Sequence, residues 1–156
     1  MIDNLFFLYP IGILEPAVIL FLIHALSNQQ LGAKKILSAS PFLAALAVST
    51  RVFLGSYIIS IILYTLGLII VLTAFRYKGL TERITMSFLA FSIYLVIEFL
   101  NIKAIEVIWN IAPRQFMEDP LLYLFGFLSH MAALVIVALI VARFNVFIFE
   151  EPLRRG

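Results

Sequence analysis

The sequence predicts an all-α protein, a polytopic membrane helix bundle of about five transmembrane helices with its N-terminus outside and its C-terminus inside the cell. Of its 156 residues, 63% are hydrophobic and only 13% are charged, and the mean hydropathy is +1.10. A soluble domain is about half apolar and about a quarter charged, so one soluble core cannot cover this much apolar surface. We therefore expect residues 1–156 to form a single transmembrane helical domain in the cell membrane.

Composition also excludes several classes of function. The chain has no cysteine, which rules out disulfides, thiolate metal sites and cysteine nucleophiles. Its net charge of +2 includes no basic tract of the kind that binds nucleic acid, and no hydrolytic, metalloprotease or phosphate-loop motif is present. We expect no catalytic residue, metal or cofactor. The expected partners are membrane lipids and either other membrane subunits or further copies of the chain.

The first predicted span covers residues 5–26. A helix needs about 20 apolar residues to cross a hydrocarbon core of about 30 Å, and this stretch is long enough. Pro16 lacks a backbone donor, so we expect a kink there. Glu15 lies beside this proline, and His24 near the inner end is expected to meet lipid headgroups.

The next apolar stretch, residues 36–75, is long enough for two spans. Ser, Thr, Arg and Gly cluster at residues 49–56 and predict a break, which gives spans at 36–50 and 54–75. The first of these is short and polar for its length. The alternative is a re-entrant or interfacial segment.

The basic residues favour two crossings. Two crossings place Lys34 and Lys35 on the same side of the membrane as Arg76, Lys78 and Arg83, as the positive-inside rule requires. A re-entrant segment would place the two groups on opposite sides.

The last two predicted spans cover residues 84–110 and 121–142. The first is roughly 40 Å long at 1.5 Å per residue, so we expect its end to protrude or tilt. Lys103 and Glu106 are three residues apart and can pair on one helical face. Asp119 precedes a proline and reads as the start signal of the final helix.

Four ionisable side chains inside these spans, those of Glu15, His24, Glu98 and His130, are the first candidates for function, because such groups are costly to insert into a membrane. Glu15 and His130 lie at similar predicted depths, so they can meet if the first and last spans are neighbours. Glu98 lies nearer the outer surface, with Tyr94 one turn before it and Asn101 one turn after it. All of these residues except His24 form the predicted ligand-binding or partner-binding set.

Structural roles for the same residues remain open. Glu15 could hydrogen-bond the backbone freed by Pro16, His130 could pack across helices, and Glu98 could reach the outer interface. On the last span, the small residues Gly126, Ser129 and Ala133 are spaced by three and four and predict a helix-packing face. Val137 is expected to face lipid.

One stretch carries a family resemblance: FRYKGLTERITMSFLAFSIYLVIEFL, residues 75–100. It resembles the membrane region of GHKL-type sensor histidine kinases that respond to peptide pheromones, of the accessory-gene-regulator kind. The shared positions are a basic turn at Tyr77, Lys78 and Gly79, followed by a helix ending in Ile97 and Glu98. The family continues into a phosphoacceptor helix and an ATP-binding domain, and neither follows here. The resemblance thus implies a stand-alone or truncated sensor module.

The sequence supports three hypotheses of function. We favour a non-enzymatic integral membrane protein that acts as a small subunit of a larger membrane complex and binds partner helices and lipid. The first alternative is a peptide-sensing or lipid-sensing membrane module of a sensor kinase. The second is the substrate-binding component of a transporter.

Overall fold

The computed structural model describes residues 12–27, 31–54, 57–77, 79–111 and 119–144. This part of the chain contains five α-helices and no β-strand, which confirms the predicted all-α class. The helices are α1 (Leu14–Leu26), α2 (Ala33–Leu54), α3 (Tyr57–Ala74), α4 (Leu80–Trp109) and α5 (Pro120–Arg143).

Each helix packs against the next one along the chain, and α5 closes the bundle by packing against α1. Helix α1 also contacts α4, and it is the most enclosed element, with eight of its thirteen residues buried. The core joins apolar side chains from all five helices. Fully buried representatives, one from each helix, are Leu20, Leu43, Leu68, Met86 and Leu134.

The helices alternate in direction. The start of α2 lies beside the end of α3, where Lys35 Nζ is 3.5 Å from the Phe75 carbonyl oxygen. The second half of α4 lies beside the first half of α5, where Asn101 Nδ2 donates to the Gly126 carbonyl at 2.9 Å. An alternating bundle brings the start of α2, the turn between α3 and α4, and the end of α5 to one end of the molecule.

The predicted break between the second and third spans was placed too early. Helix α2 runs without interruption through residues 49–54. Thr50 is accommodated because its hydroxyl donates to the Ala47 carbonyl one turn back at 3.0 Å, so the polar side chain does not open the helix. Residues 55–56, which contain the rest of the predicted break, lie outside the described residues.

The described part of the first predicted span forms helix α1. Its first residue is Leu14, so Pro16 lies in the first turn. The first turn has no intrahelical acceptor for its N–H groups, so a proline is tolerated there and the described helix needs no kink. The earlier part of the predicted span, residues 5–11, lies outside the described part of the chain.

Two local predictions are confirmed. Asp119 caps α5, because its Oδ1 accepts hydrogen bonds from the backbone N–H groups of Leu121 and Leu122 at 2.8 and 3.2 Å. Lys103 Nζ lies 2.7 Å from Glu106 Oε2, which gives the expected pair one turn apart.

One face assignment on α5 was wrong. Val137 does not face away from the bundle; it is half-buried and packs against the core. The neighbouring Ile136 is the exposed residue, at 56%. Successive residues of a helix point 100° apart, so assigning the outer face one residue too late takes a partly packed side chain for an outward-facing one.

Helices α4 and α5 are each long and apolar enough to cross a membrane. Two further apolar helices are shorter, α1 and the Ile58–Ala74 part of α3. These statements rest on length and composition.

Candidate functional site

Polar side chains from three helices meet near the start of α1. Glu15 is only 6% exposed, and Thr50 and Ser60 are buried nearby on α2 and α3. All three line one cavity, together with Tyr64 of α3 and Tyr94 of α4. The interior of the bundle therefore contains a polar centre at the level where α1 begins.

The cavity at this centre is small. About 20 Å³ is open to the centre of a water molecule, which is room for about one water. Its apolar wall is formed by Ala47, Ile61 and Phe91. A site of this size can hold a bridging water among hydroxyl and carboxyl groups, but it has no room for an organic substrate.

A row of rings leads from this cavity into α5. The ring centroids of Tyr64 and Phe91 are 5.3 Å apart, and those of Phe91 and Tyr94 are 5.4 Å apart and nearly parallel. The Tyr94 ring then contacts His130, with centroids 4.8 Å apart. These separations lie in the range of favourable aromatic contacts, so the row ties α3, α4 and α5 together.

His130 is 4% exposed and hydrogen-bonds the Tyr94 backbone. Its Nε2 has no hydrogen-bond partner among the described residues. Helix α1 packs on α5, which is the condition under which Glu15 and His130 were expected to be able to meet. Tyr94 lies between the two predicted residues: it lines the cavity together with Glu15, and its ring contacts the His130 ring.

A second polar cluster lies between α4 and α5, further along α4. The Asn101 side chain donates to the Gly126 carbonyl at 2.9 Å and accepts from the Ser129 hydroxyl at 2.9 Å. The Ser129 hydroxyl also lies 2.9 Å from the Gly126 carbonyl. Three of the residues singled out from sequence thus form one interhelical cluster, in which a buried glycine exposes its carbonyl to the neighbouring helix.

The remaining predicted residues occupy intermediate positions. Glu98 is half-buried on α4, between the turn of Tyr94 and the turn of Asn101. Ala133 is half-buried on α5. His24 does not simply face the headgroups, because its Nδ1 accepts a hydrogen bond from the Leu31 backbone at 3.1 Å.

Sequence reasoning missed four residues of the polar centre and its ring row: Thr50, Ser60, Tyr64 and Phe91. Ser60 and Tyr64 are four residues apart in an otherwise apolar span, and that spacing could have identified a polar face. Thr50 was interpreted as part of a break. Nothing in the sequence distinguishes Phe91 as part of a site, since the chain has 15 phenylalanines.

Within the described residues, no three His, Asp or Glu side chains are grouped as metal ligands. Comparison of the chain with protein-family models, with curated proteins and with solved structures finds no match.

Proposed function

We propose that the chain is a multi-pass integral membrane protein of five spans that acts without catalysis, as a small subunit of a larger membrane complex. Its N-terminus lies outside and its C-terminus inside. In this proposal the outer surfaces of the bundle bind lipid and partner helices, and the polar interior holds the five helices in register.

The observation that carries the proposal is the apolar outer surface. On α3 the exposed apolar side chains include Ile58, Ile62, Leu66 and Ile70, which are spaced by four and are 48–69% exposed. Soluble monomers rarely expose continuous apolar patches of more than a few hundred Å², so a surface of this kind favours a membrane or a partner. Exposed apolar side chains on the two longest helices are Phe88, Val96, Phe99 and Val107 of α4, and Leu121, Phe125, Ile136 and Leu139 of α5.

The distribution of charge supports the orientation. Lys34, Lys35, Arg76, Arg83 and Arg143 belong to the segments that the alternating helices bring to one end of the bundle. Cytoplasmic segments of membrane proteins carry an excess of Lys and Arg. This end is therefore assigned to the inside.

The small cavity favours a subunit over a substrate-binding component. This cavity has space for about one water and cannot hold a transported molecule, which supports binding of larger molecules at the outer surface. Glu15, Tyr94 and His130 are enclosed. Glu98 is half-buried and is thus the candidate that a neighbouring helix can reach.

Cysteine labelling tests the span number and orientation. The chain has no native cysteine, so a membrane-impermeant label reports only an added one. Gly32→Cys is suitable for the inner end, because a Cβ there meets no atom within 4 Å. Gln115→Cys, outside the described residues, tests the outer loop. We expect only Gln115→Cys to be labelled in intact cells; labelling of both, or of Gly32→Cys alone, overturns the assignment.

Isolation in mild detergent tests the subunit role. We expect the chain to copurify with unrelated membrane chains in a fixed ratio. Glu98→Gln should lower the yield of that assembly while the monomer stays folded, whereas Glu106→Gln should leave it unchanged. A homodimer that binds a peptide or a lipid would favour the sensor alternative, and an isolated monomer would contradict both.

A further inference from the structure

The turn that ends α3 has an unusual residue at its centre. Arg76 has φ 52°, in the left-handed region. Its N–H donates to the Thr73 carbonyl at 3.0 Å, and the Tyr77 N–H donates to the Leu72 carbonyl at 2.9 Å. This pair of bonds defines a Schellman motif, and Tyr77 and Leu72, the two positions that usually make its apolar contact, are both 0% exposed.

Glycine is the usual residue at the left-handed position of this motif, because it has no Cβ to clash. An L residue with a longer side chain is strained there. The Arg76 side chain is exposed, and within the described residues it makes no ion pair or hydrogen bond that would offset the strain. A strained residue whose side chain contributes nothing to its own fold suggests a role outside the chain.

Other cations surround this turn. Lys35 Nζ lies 3.5 Å from the carbonyl oxygen of Phe75, the residue before Arg76, and 5.6 Å from the centroid of the Phe75 ring. Lys34 is adjacent and exposed, and like Lys35 it makes no ion pair among the described residues. Arg76 and Lys35 therefore lie at one turn, and exposed Lys34 precedes Lys35 at the same end of the bundle.

A fourth cation, Arg83, stabilises the turn itself. Arg83 Nε donates to the Tyr77 carbonyl, and Nη1 lies 3.4 Å from the Thr73 hydroxyl, so this side chain braces the turn from α4. The nearby acid, Glu82, is directed at Gly79, where its carboxylate fills the place of a Cβ. The described residues at this turn thus hold four cations against one carboxylate.

The cations border an apolar surface. On α2, Leu37 lies one turn beyond Lys34 and Phe42 two turns beyond Lys35, and their side chains are 66% and 53% exposed. Positive charge next to exposed apolar side chains matches a phospholipid, whose phosphate lies at the membrane surface and whose acyl chains extend inward.

We propose that Arg76, Lys34 and Lys35 bind the headgroup of an anionic phospholipid, with its acyl chains along Leu37 and Phe42. The inference rests on the proposed membrane embedding. The guanidinium of Arg76 forms paired hydrogen bonds with phosphate oxygens, and the two ammonium groups add charge. A lipid with net negative charge is preferred over a zwitterionic one, since the latter carries its own cation.

Native mass spectrometry of the full chain in a neutral detergent tests the proposal. Phosphatidylglycerol and phosphatidylcholine with identical acyl chains are titrated separately. We expect tighter binding of phosphatidylglycerol, and Arg76→Gly should weaken it about fivefold, as expected for one surface cation. Lys34→Gln should weaken it similarly. Inorganic phosphate at the same concentration should not displace the lipid.

The matched control is Asn110→Gly. Asn110 also has a left-handed backbone, with φ 54°, but it lies at the opposite end of the bundle and carries no charge. Both glycine variants relieve backbone strain, so both should unfold at the same or a higher temperature than the parent chain. Only Arg76→Gly should lose lipid preference.

Three outcomes overturn the proposal: equal binding of the two lipids, unchanged phosphatidylglycerol binding in both cation variants, or displacement by inorganic phosphate. These outcomes are independent of the labelling test for span number and orientation. A chain that inserts as proposed but shows no lipid preference refutes this site alone. A chain that shows the preference but inserts with this end outside refutes the orientation alone.

Discussion

Asn101 shows how one side chain can fix the approach of two helices. Its amide donates to the Gly126 carbonyl and its oxygen accepts from Ser129, so both ends of the group bind α5. A polar group in hydrocarbon needs such partners, and an interhelical hydrogen bond contributes on average about 0.6 kcal/mol and up to about 1.7 kcal/mol. Two bonds from one amide also define the relative rotation of α4 and α5.

We predict that Asn101→Ala lowers the free energy of unfolding by about 1–2 kcal/mol, since it removes both bonds. Glu106→Gln, five residues later on the same helix, should change it by less than about 0.5 kcal/mol, because its partner Lys103 is 52% exposed and an exposed pair contributes little. Unfolding in mixed micelles measures both. Equal losses would show that the α4–α5 contact does not depend on this amide.

Among the described residues, Tyr77 has the largest completely buried side chain. Its hydroxyl and that of Ser27 are close enough to interact, but neither forms a well-aligned hydrogen bond among the described residues. Burial has the largest effect and raises the pKa of the Tyr77 hydroxyl above its usual 10.0; Ser27 lowers the pKa by less, and nearby Glu82 raises it by less again. The folded state therefore favours the neutral phenol.

The sign of the pH dependence follows. The native protein binds this proton more tightly than the unfolded chain does. The contribution of Tyr77 to the free energy of unfolding is therefore fully present below about pH 10 and is lost as the pH rises above it. We predict that Tyr77→Phe flattens this alkaline loss and changes the stability at pH 8 little, because no well-formed hydrogen bond is removed. Thermal unfolding of both chains from pH 8 to 11 checks this. Parallel curves would contradict it.

Helix α5 illustrates what its pattern of small residues could and could not predict. The packing face exists, with Gly126, His130, Leu134 and Ala138 buried. Small residues also lie elsewhere on the helix, and Ala132 is exposed. Because α5 is apolar on every side, its sequence has no polar stripe to mark the outer face, so Ala133 and Val137 could not be assigned from spacing alone.

We predict that Ala138→Leu destabilises the bundle by about 1–3 kcal/mol, since Ala138 is 0% exposed and extra methyl groups there must displace neighbours. Ala132→Leu makes the same chemical change at an exposed position and should shift the stability by less than about 0.5 kcal/mol. Yield and unfolding temperature in detergent compare the two. A larger effect at Ala132 would indicate that a partner covers this face.

At the scale of the whole molecule, the long apolar stretches were sufficient to predict the helical class, because runs of about 20 apolar residues are typical of helical spans and not of strands. The cap at Asp119 and the Lys103–Glu106 pair could also be predicted from the sequence, since both depend on residues close together in the chain. The polar centre could not be predicted in this way. It joins Glu15, Thr50, Ser60 and Tyr94 from four helices, and such a meeting depends on helix order and rotation, which local patterns do not encode.

Orientation in the proposed topology is likewise a property of the whole chain. Lys34, Lys35 and Arg76 belong to different segments, yet they lie at one end because the helices alternate. The positive-inside bias acts on the summed Lys and Arg content of the segments flanking the spans. Moving positive charge between the two ends should therefore move the population between the two orientations.

We predict that a chain carrying K34Q, K35Q and R76G together with M117K and E118K inserts partly in the inverted orientation. Arg83 is left in place because it braces the turn after α3. With Gly32→Cys as reporter, labelling from outside the cell should rise from near zero to a clear fraction of the chains. The three substitutions without the two added lysines should give a smaller rise. If the five-substitution chain keeps its reporter wholly inside, the cations at this end do not set the topology.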